Sequence, residues 1–241
     1  MNQGRNLFLV IVALLGLGGF GFVLFSAQPK AVVSSVNANT PTLKISYVFQ
    51  GQVQNLELIQ VKADAFGGAR FVTGAKNAAF TVVEFADYEC PACAVFAGEF
   101  EGLFNTKLIS SGKVRYAYRD FPLSFHPNAN VASLAAACAA DQGKFPEYKA
   151  VLFRAQNEWA SSSKAGVLDQ FADYANQVGL DGTKLKACAS SQAAQTLIDA
   201  DVAAGQRVGI NATPSFVING YLVSGALPVE AFEAILAKLG G

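Results

Sequence analysis

The segment 82–93 sets two cysteines just beyond an apolar run, and this arrangement constrains the chain most strongly. Apart from Glu84, residues 82–86 are apolar, as in a buried β-strand. Pro91 suits the first position of a helix, which places Cys90 at its N-cap. Exposed N–H groups and the helix dipole stabilise a thiolate there. We therefore predict that Cys90 is an attacking thiol and that Cys93, one turn further on, resolves the mixed disulfide.

The alternative for Cys90-Pro91-Ala92-Cys93 is half of a zinc site. Such a site needs two more ligands. Only Cys138, Cys188 or the single histidine, His126, could supply them with soft or imidazole donors. The choice between the two chemistries depends on the compartment, because exported proteins form disulfides.

An apolar stretch near the N-terminus predicts export. Residues 7–25 carry no charge and, as a helix, would nearly cross a hydrocarbon core of about 30 Å. Arg5 and the amino terminus precede them, which favours a cytoplasmic N-terminus. A cleaved signal peptide is the alternative, but Phe25 stands where a small residue is wanted. We predict a signal anchor over 1–27, a single-pass cell-membrane protein, and a domain on the periplasmic or cell-envelope face.

Charge excludes one class of function. The chain has 18 basic and 18 acidic residues and no Lys/Arg run, which gives no basis for binding nucleic acid. Its 241 residues are enough for one medium domain with an insertion.

The segments before the cysteines predict a tether and a hairpin. Residues 28–42 contain Pro29 and Pro41 and are typical of a linker. Alternating runs over 43–49 and 53–61 predict a β-hairpin extension within 43–75. Two alternatives stay open for it: the edge of the main sheet, or an addition that binds a partner.

From residue 80 onward the patterns follow the order β-α-β, a helical block, then β-β-α. A strand over Phe80–Ala86, a helix over 91–108 and a strand over 114–119 form a parallel crossover unit. Helical periodicity then dominates residues 128–208. Asn219-Gly220 joins two short strands as a hairpin turn, and Pro228 opens the last helix.

The sequence resembles the DsbA family of disulfide oxidoreductases, especially its membrane-anchored bacterial members, over residues 77–239. The resemblance is carried, in this order, by VVEFADYECPAC, RDFPLSFHPNA, QGKF and TPSFVING. It implies an α/β thioredoxin fold, with a thioredoxin-like domain over 76–127 and 209–241 and an inserted helical domain over 128–208.

The resemblance also implies roles for two further parts of the chain. Glu84 would lie buried behind the cysteines and exchange a proton with Cys93; the alternative is a solvated carboxylate at a strand end. Thr213 and Pro214 would form a cis-proline loop that faces Cys90 and binds substrate peptide; the alternative is an ordinary trans turn.

The remaining candidates lie away from the dithiol. Cys138 and Cys188 are expected to form a structural disulfide, with buried free thiols or a second redox pair as the alternatives. His126 matches the family's loop motif and is expected to be structural. Tyr88 and Glu89 are expected to border a peptide groove.

These features predict an extracytoplasmic protein disulfide oxidoreductase without a metal or cofactor. It would donate its disulfide to exported proteins with cysteines and be reoxidised by a quinone-linked membrane oxidase. Ala92 departs from the family's best-known pattern, which has a histidine there, so a reductase or isomerase kept reduced by a membrane electron donor is the alternative. A chaperone or copper-binding module is a third hypothesis, and the lack of methionines beyond Met1 argues against it.

Overall fold

The computed structural model describes residues 40–240, without the side chains of Lys164 and Ala165. The predicted anchor and most of the predicted linker fall outside this range. Within 40–240, no helix has the length and apolar character needed to cross a membrane.

A seven-stranded sheet organises the described part of the chain. Its strand order is β1-β2-β7-β6-β4-β5-β3. β4 runs parallel to β5 and antiparallel to β6, so the strand before the cysteines lies well inside the sheet. The strands are β1 (Thr42–Phe49), β2 (Gln52–Gln60), β3 (Phe71–Thr73), β4 (Phe80–Ala86), β5 (Val114–Asp120), β6 (Ser215–Ile218) and β7 (Tyr221–Ser224).

The helices lie after β4, between β5 and β6, and after β7. They are α1 (Pro91–Val95), α2 (Glu101–Phe104), α3 (Ala129–Asp141), α4 (Phe145–Arg154), α5 (Gln156–Trp159), α6 (Lys164–Gln177), α7 (Gly182–Ala189), α8 (Gln192–Arg207) and α9 (Val229–Gly240). Two π-helical turns, Phe96–Phe100 and Asn105–Ile109, extend α1 and α2 into one helical stretch. We call this stretch, residues 91–109, the cysteine helix.

Side-chain alternation along β4 divides the core into two layers. Val82 and Ala86 belong to the layer that contains the cysteine helix and α9, whereas Val83 and Phe85 belong to the opposite layer with α8. By the same alternation Glu84 points toward the layer of the cysteine helix. The sequence period thus decides that this carboxylate lies on the side of the sheet that carries the cysteines.

The hairpin of β1 and β2 extends the main sheet rather than standing apart from it. β2 pairs antiparallel with β7 through Ile59–Leu222 and Gln60–Tyr221. β3, which falls in the same predicted 43–75 segment, pairs with β5 at the opposite edge. Residues 43–75 therefore supply strands to both edges of the sheet. Of the two alternatives for the hairpin, an edge of the main sheet or an addition that binds a partner, the structure shows the edge of the sheet.

The helical block α3–α8 shares its core with the sheet. Aromatic rings join the two: Phe153 of α4 lies 4.9 Å from Tyr88, and Phe145 lies 4.4 Å from Phe71. Within the block, Cys138 of α3 and Cys188 of α7 form a disulfide whose Cα atoms are 5.9 Å apart. The bridge ties two helices whose cysteines are 50 residues apart in the chain.

Removing this disulfide is expected to destabilise the protein by roughly 4 kcal/mol, from the loop entropy that a 50-residue closure removes from the unfolded chain. Urea unfolding of a Cys138→Ala/Cys188→Ala variant measures the loss. The matched control is Cys90→Ser/Cys93→Ser, which removes the other two cysteines and keeps the bridge. A loss below about 1 kcal/mol would contradict a stabilising bridge.

Candidate active site

Cys90 occupies the N-cap of α1. Its backbone is extended, with φ −74° and ψ 121°, and Pro91 follows as the first helical residue. Cys90 is 7% exposed, whereas Cys93 is fully buried, and both are free thiols in this structure. One sulfur is therefore within reach of a partner and the other is enclosed.

The Thr213–Pro214 peptide bond is cis, and its loop faces Cys90. The Cys90 thiol donates to the Thr213 carbonyl oxygen at 3.3 Å. This meeting follows from the sheet, because Phe85 near the end of β4 pairs with Ser215, the residue after Pro214. The structure thus brings together Cys90, Cys93, Thr213 and Pro214, as the sequence predicts.

Local hydrogen bonds make Cys90 the acidic thiol of the pair. A hydrogen bond from Cys93 is the largest cause, and it outweighs the opposing effect of burial; the pKa of Cys90 falls to about 6. The Thr213 side chain and the backbone N–H groups of Cys93 and Ala92 lower it further. Burial raises the pKa of Cys93 well above its ordinary value. The site therefore holds one thiolate and one protonated thiol near neutral pH.

Glu84 lies beneath this pair and is 1% exposed. Its Oε2 accepts a hydrogen bond from the Tyr116 hydroxyl. Burial raises the pKa of Glu84 to about 7, against the opposing charge of Lys149, and its charge in turn raises the pKa of Cys93. A solvated strand-end carboxylate is excluded by this burial. An enclosed acid that titrates near neutrality has the property that proton exchange with Cys93 needs.

Asp87 is a member of the site that the sequence reasoning missed. Its backbone N–H lies 3.5 Å from Cys93 Sγ, and its carboxylate accepts from the N–H groups of Glu89 (2.7 Å) and Leu123 (2.8 Å). His126 Nδ1 lies 2.8 Å from the same carboxylate. His126 therefore fixes the loop against the cysteine turn. Asp87 and His126 are 39 residues apart, so no local sequence pattern predicts their contact.

Gln156 of α5 is a second missed contact. Its side-chain amide donates to the carbonyl oxygens of Tyr88 (2.7 Å) and Cys90 (3.0 Å), so the helical block holds the cysteine turn directly. Tyr88 is fully buried, so it does not border a surface groove, contrary to the sequence expectation. The reason is its ring contact with Phe153. Glu89 is 8% exposed and accepts from the Asn128 N–H.

The zinc alternative lacks ligands in this structure. Cys138 and Cys188 are joined to each other, and His126 is bound to Asp87. Over residues 40–240 no three His, Cys, Asp or Glu side chains are grouped so as to hold a metal ion.

A Cys-x-x-Cys at a helix N-terminus, with a cis-proline loop against its first sulfur and an acid buried below, defines a dithiol site on a thioredoxin fold. A model of the family described as thioredoxin matches residues 68–238. The chain belongs to the thioredoxin family.

Proteins similar to this chain come from Bacillus subtilis and Salinispora tropica. The crystal structure of oxidised BdbD from Bacillus subtilis is 25% identical with a TM-score of 0.64, over 76% of this chain and 98% of that one. Disulfide bond formation protein D of Bacillus subtilis is 26% identical over 69% of this chain and 75% of its own length. Na(+)/H(+) antiporter NhaA 3 of Salinispora tropica is 33% identical over 68% of this chain, which spans only 24% of that protein.

Alkylation of the reduced protein tests the assignment of the two thiols. Because the thiolate is the reactive form, the rate of Cys90 modification by iodoacetamide is expected to reach half its maximum near pH 6. The lowered pKa also means that Cys90 stabilises the reduced protein at high pH and that this contribution is lost as the pH falls through about 6.

The control for this titration is Cys90→Ser, in which Cys93 is expected to stay unreactive over the same pH range because it is buried. A midpoint near the free-cysteine value of about 8.5 would show that the Cys93 hydrogen bond, Thr213 and the helix N-terminus do not stabilise the thiolate.

Proposed function

We propose that the protein donates its Cys90–Cys93 disulfide to exported polypeptides. The observation that carries this proposal is the stabilised thiolate of Cys90. A thiolate with a low pKa is a good leaving group and favours the reduced form of the dithiol, which makes the corresponding disulfide more oxidising.

The reaction follows from the two thiol environments. A substrate thiolate attacks Cys90 Sγ of the disulfide; the Cys90–Cys93 bond breaks, and Cys93 leaves and takes a proton. A second substrate thiolate then attacks the substrate sulfur of the mixed disulfide, and Cys90 leaves as its stabilised thiolate. The substrate loses two electrons and gains a disulfide, and the enzyme disulfide is reduced to the dithiol.

Substrate binding is assigned to the Thr213–Pro214 loop. The carbonyl of Thr213 already meets the Cys90 sulfur, so a peptide whose cysteine reaches Cys90 comes within hydrogen-bonding distance of this backbone. Backbone recognition suits substrates of many sequences, such as newly exported proteins with cysteines.

Location and reoxidation complete the proposal. Residues 7–25 would anchor the chain in the cell membrane, with the dithiol domain on the extracytoplasmic side. A quinone-linked membrane oxidase would restore the disulfide. The name of the Bacillus subtilis relative, disulfide bond formation protein D, supports this direction of electron flow.

Ala92 favours a second candidate, a reductase or isomerase kept reduced by a membrane electron donor. Ala92, the residue just before Cys93, is small and apolar, and it adds no positive charge that would stabilise the Cys90 thiolate. The Cys90 pKa of about 6 falls between about 7 for thioredoxin and about 3.5 for DsbA.

The reduction potential separates the two candidates. We expect a value between those of thioredoxin, about −270 mV, and DsbA, about −120 mV, with the dithiol mostly oxidised in cells. Equilibration with glutathione and thiol trapping measure both quantities. An Ala92→His variant should be more oxidising, and Cys90→Ser should lose all dithiol turnover. A potential near −270 mV with mostly reduced protein would exclude the oxidase.

The anchor has its own test. Mature protein from washed membranes is expected to retain residues 1–27, as measured by N-terminal sequencing or intact mass. A mature chain that begins after residue 27 would show that the segment is a cleaved signal. Deleting residues 1–27 behind an exported leader should release an active domain, which separates anchoring from catalysis.

A further inference from the structure

Gln156, the first residue of α5, joins the helical block to the backbone of Cys90. Its Nε2 donates to the Tyr88 carbonyl oxygen at 2.7 Å and to the Cys90 carbonyl oxygen at 3.0 Å. A side-chain amide has two N–H donors, so both are used here. Gln156 is itself buried. This amide therefore holds two peptide groups that lead directly into the cysteine helix.

The contact falls on a helix start that the cysteine side chain does not cap. A Ser or Asp at an N-cap fixes the first turn by accepting from backbone N–H groups with its side-chain oxygen. Cys90 makes no such bond in this structure. Its carbonyl oxygen accepts from the Ala94 N–H at 3.2 Å, the first bond of the helix, and Gln156 binds the same oxygen. The orientation of the first helical peptide group is thus fixed from the helical block.

Asn128 holds α5 in place beneath this contact. It is fully buried, and its backbone N–H donates to Glu89 Oε2 at 2.6 Å. Its side-chain amide lies within hydrogen-bonding distance of three carbonyl oxygens at the end of α5, those of Trp159 (3.3 Å), Ala160 (3.3 Å) and Ser162 (3.0 Å). Hydrogen bonds therefore run in a closed circuit from the cysteine turn through Asn128 and α5 to Gln156, and back to Cys90.

The groups that stabilise the Cys90 thiolate belong to the turn that this circuit fixes. The hydrogen bond from Cys93 lowers the pKa of Cys90 most, and the backbone N–H groups of Cys93 and Ala92 lower it further. The direction of these N–H groups depends on the orientation of the peptide group that starts the helix. The amide of Gln156 also offsets the partial negative charge of the Cys90 carbonyl oxygen, which lies close to the sulfur of the same residue.

We propose that Gln156 is a positioning residue through which the inserted helical block sets the reactivity of Cys90. The inference deepens the proposed function and rests on it. Gln156 bonds to backbone oxygens, so it acts through the backbone of Cys90. When Cys90 leaves the mixed disulfide as a thiolate, the turn that Gln156 holds stabilises the leaving group. The electron pair stays on the Cys90 sulfur, and no bond to Gln156 forms or breaks.

Alkylation of the reduced full-length chain by iodoacetamide across pH is the test, with Gln156→Leu as the variant. This substitution removes both donors and keeps a side chain of similar size. The midpoint of Cys90 modification is expected to rise by about one unit from the wild-type value near 6. At pH 7 such a rise makes the disulfide about fivefold less oxidising, measured by equilibration with glutathione.

Gln142→Leu is the matched control. The Gln142 amide also bonds to the backbone of another element: it donates to the Asp181 carbonyl oxygen at 3.3 Å and accepts from the Asp181 N–H at 2.9 Å. These bonds join the end of α3 to the start of α7. Their loss is expected to lower the stability to urea and to leave the alkylation midpoint and the glutathione equilibrium unchanged. A purely structural role for Gln156 would give the same pattern.

The inference is overturned if folded Gln156→Leu keeps either the wild-type alkylation midpoint or the wild-type glutathione equilibrium, however much less stable to urea it is. Should this variant not fold, Gln156→Met, which is unbranched and close in length, replaces it under the same criterion. A wild-type equilibrium equal to that of thioredoxin would instead refute the proposed function. The alkylation midpoint reads the effect of Gln156 in either case, which keeps the two failures distinct.

Discussion

The antiparallel pairing of β4 with β6 is the constraint on which the site depends. It fixes the end of the strand that leads to Cys90 beside the strand that begins after Pro214, and so sets the Cys90 sulfur 3.3 Å from the Thr213 carbonyl. The cysteine helix then covers the β4 face that carries Glu84. Backbone hydrogen bonds of the sheet thus place Glu84 and the Thr213–Pro214 loop relative to the cysteines.

A buried ion cluster holds the carboxyl end of β5, which lies beside Ala86 at the end of β4, against α8. Arg119 donates to Asp201 at 2.6 Å and to the Ala65 carbonyl at 2.8 Å, and Arg70 bridges Asp120 (2.6 Å) and Asp201 (3.1 Å). Burial raises the pKa of Asp120 to about 7, against the charge of Arg70. Such a network specifies one arrangement, because a buried charge that loses its partner costs about 3–5 kcal/mol.

Local patterns predicted the parts of the site that are local in sequence. The N-cap cysteine, the helix after it, the Asn219-Gly220 turn and the order of elements all follow from a few neighbouring residues. His126 is 39 residues from Asp87, and Gln156 is at least 66 residues from the carbonyl groups of the cysteine turn that it binds. Periodicity predicts which face of a helix or strand a residue occupies, but it does not predict which distant residue that side chain contacts. For the same reason, the sequence did not predict that the hairpin of β1 and β2 pairs with β7.

The contact between Cys90 and Thr213 has a consequence for biosynthesis. The two residues are 123 positions apart, and the amide of Gln156 that holds the cysteine turn is 66 positions beyond Cys90. A chain emerging amino terminus first presents Cys90 and Cys93 long before either contact can form. Until β6 pairs with β4, Cys90 lacks the contribution of Thr213 to its lowered pKa. The complete site therefore forms late, once nearly the whole chain has been synthesised and has folded.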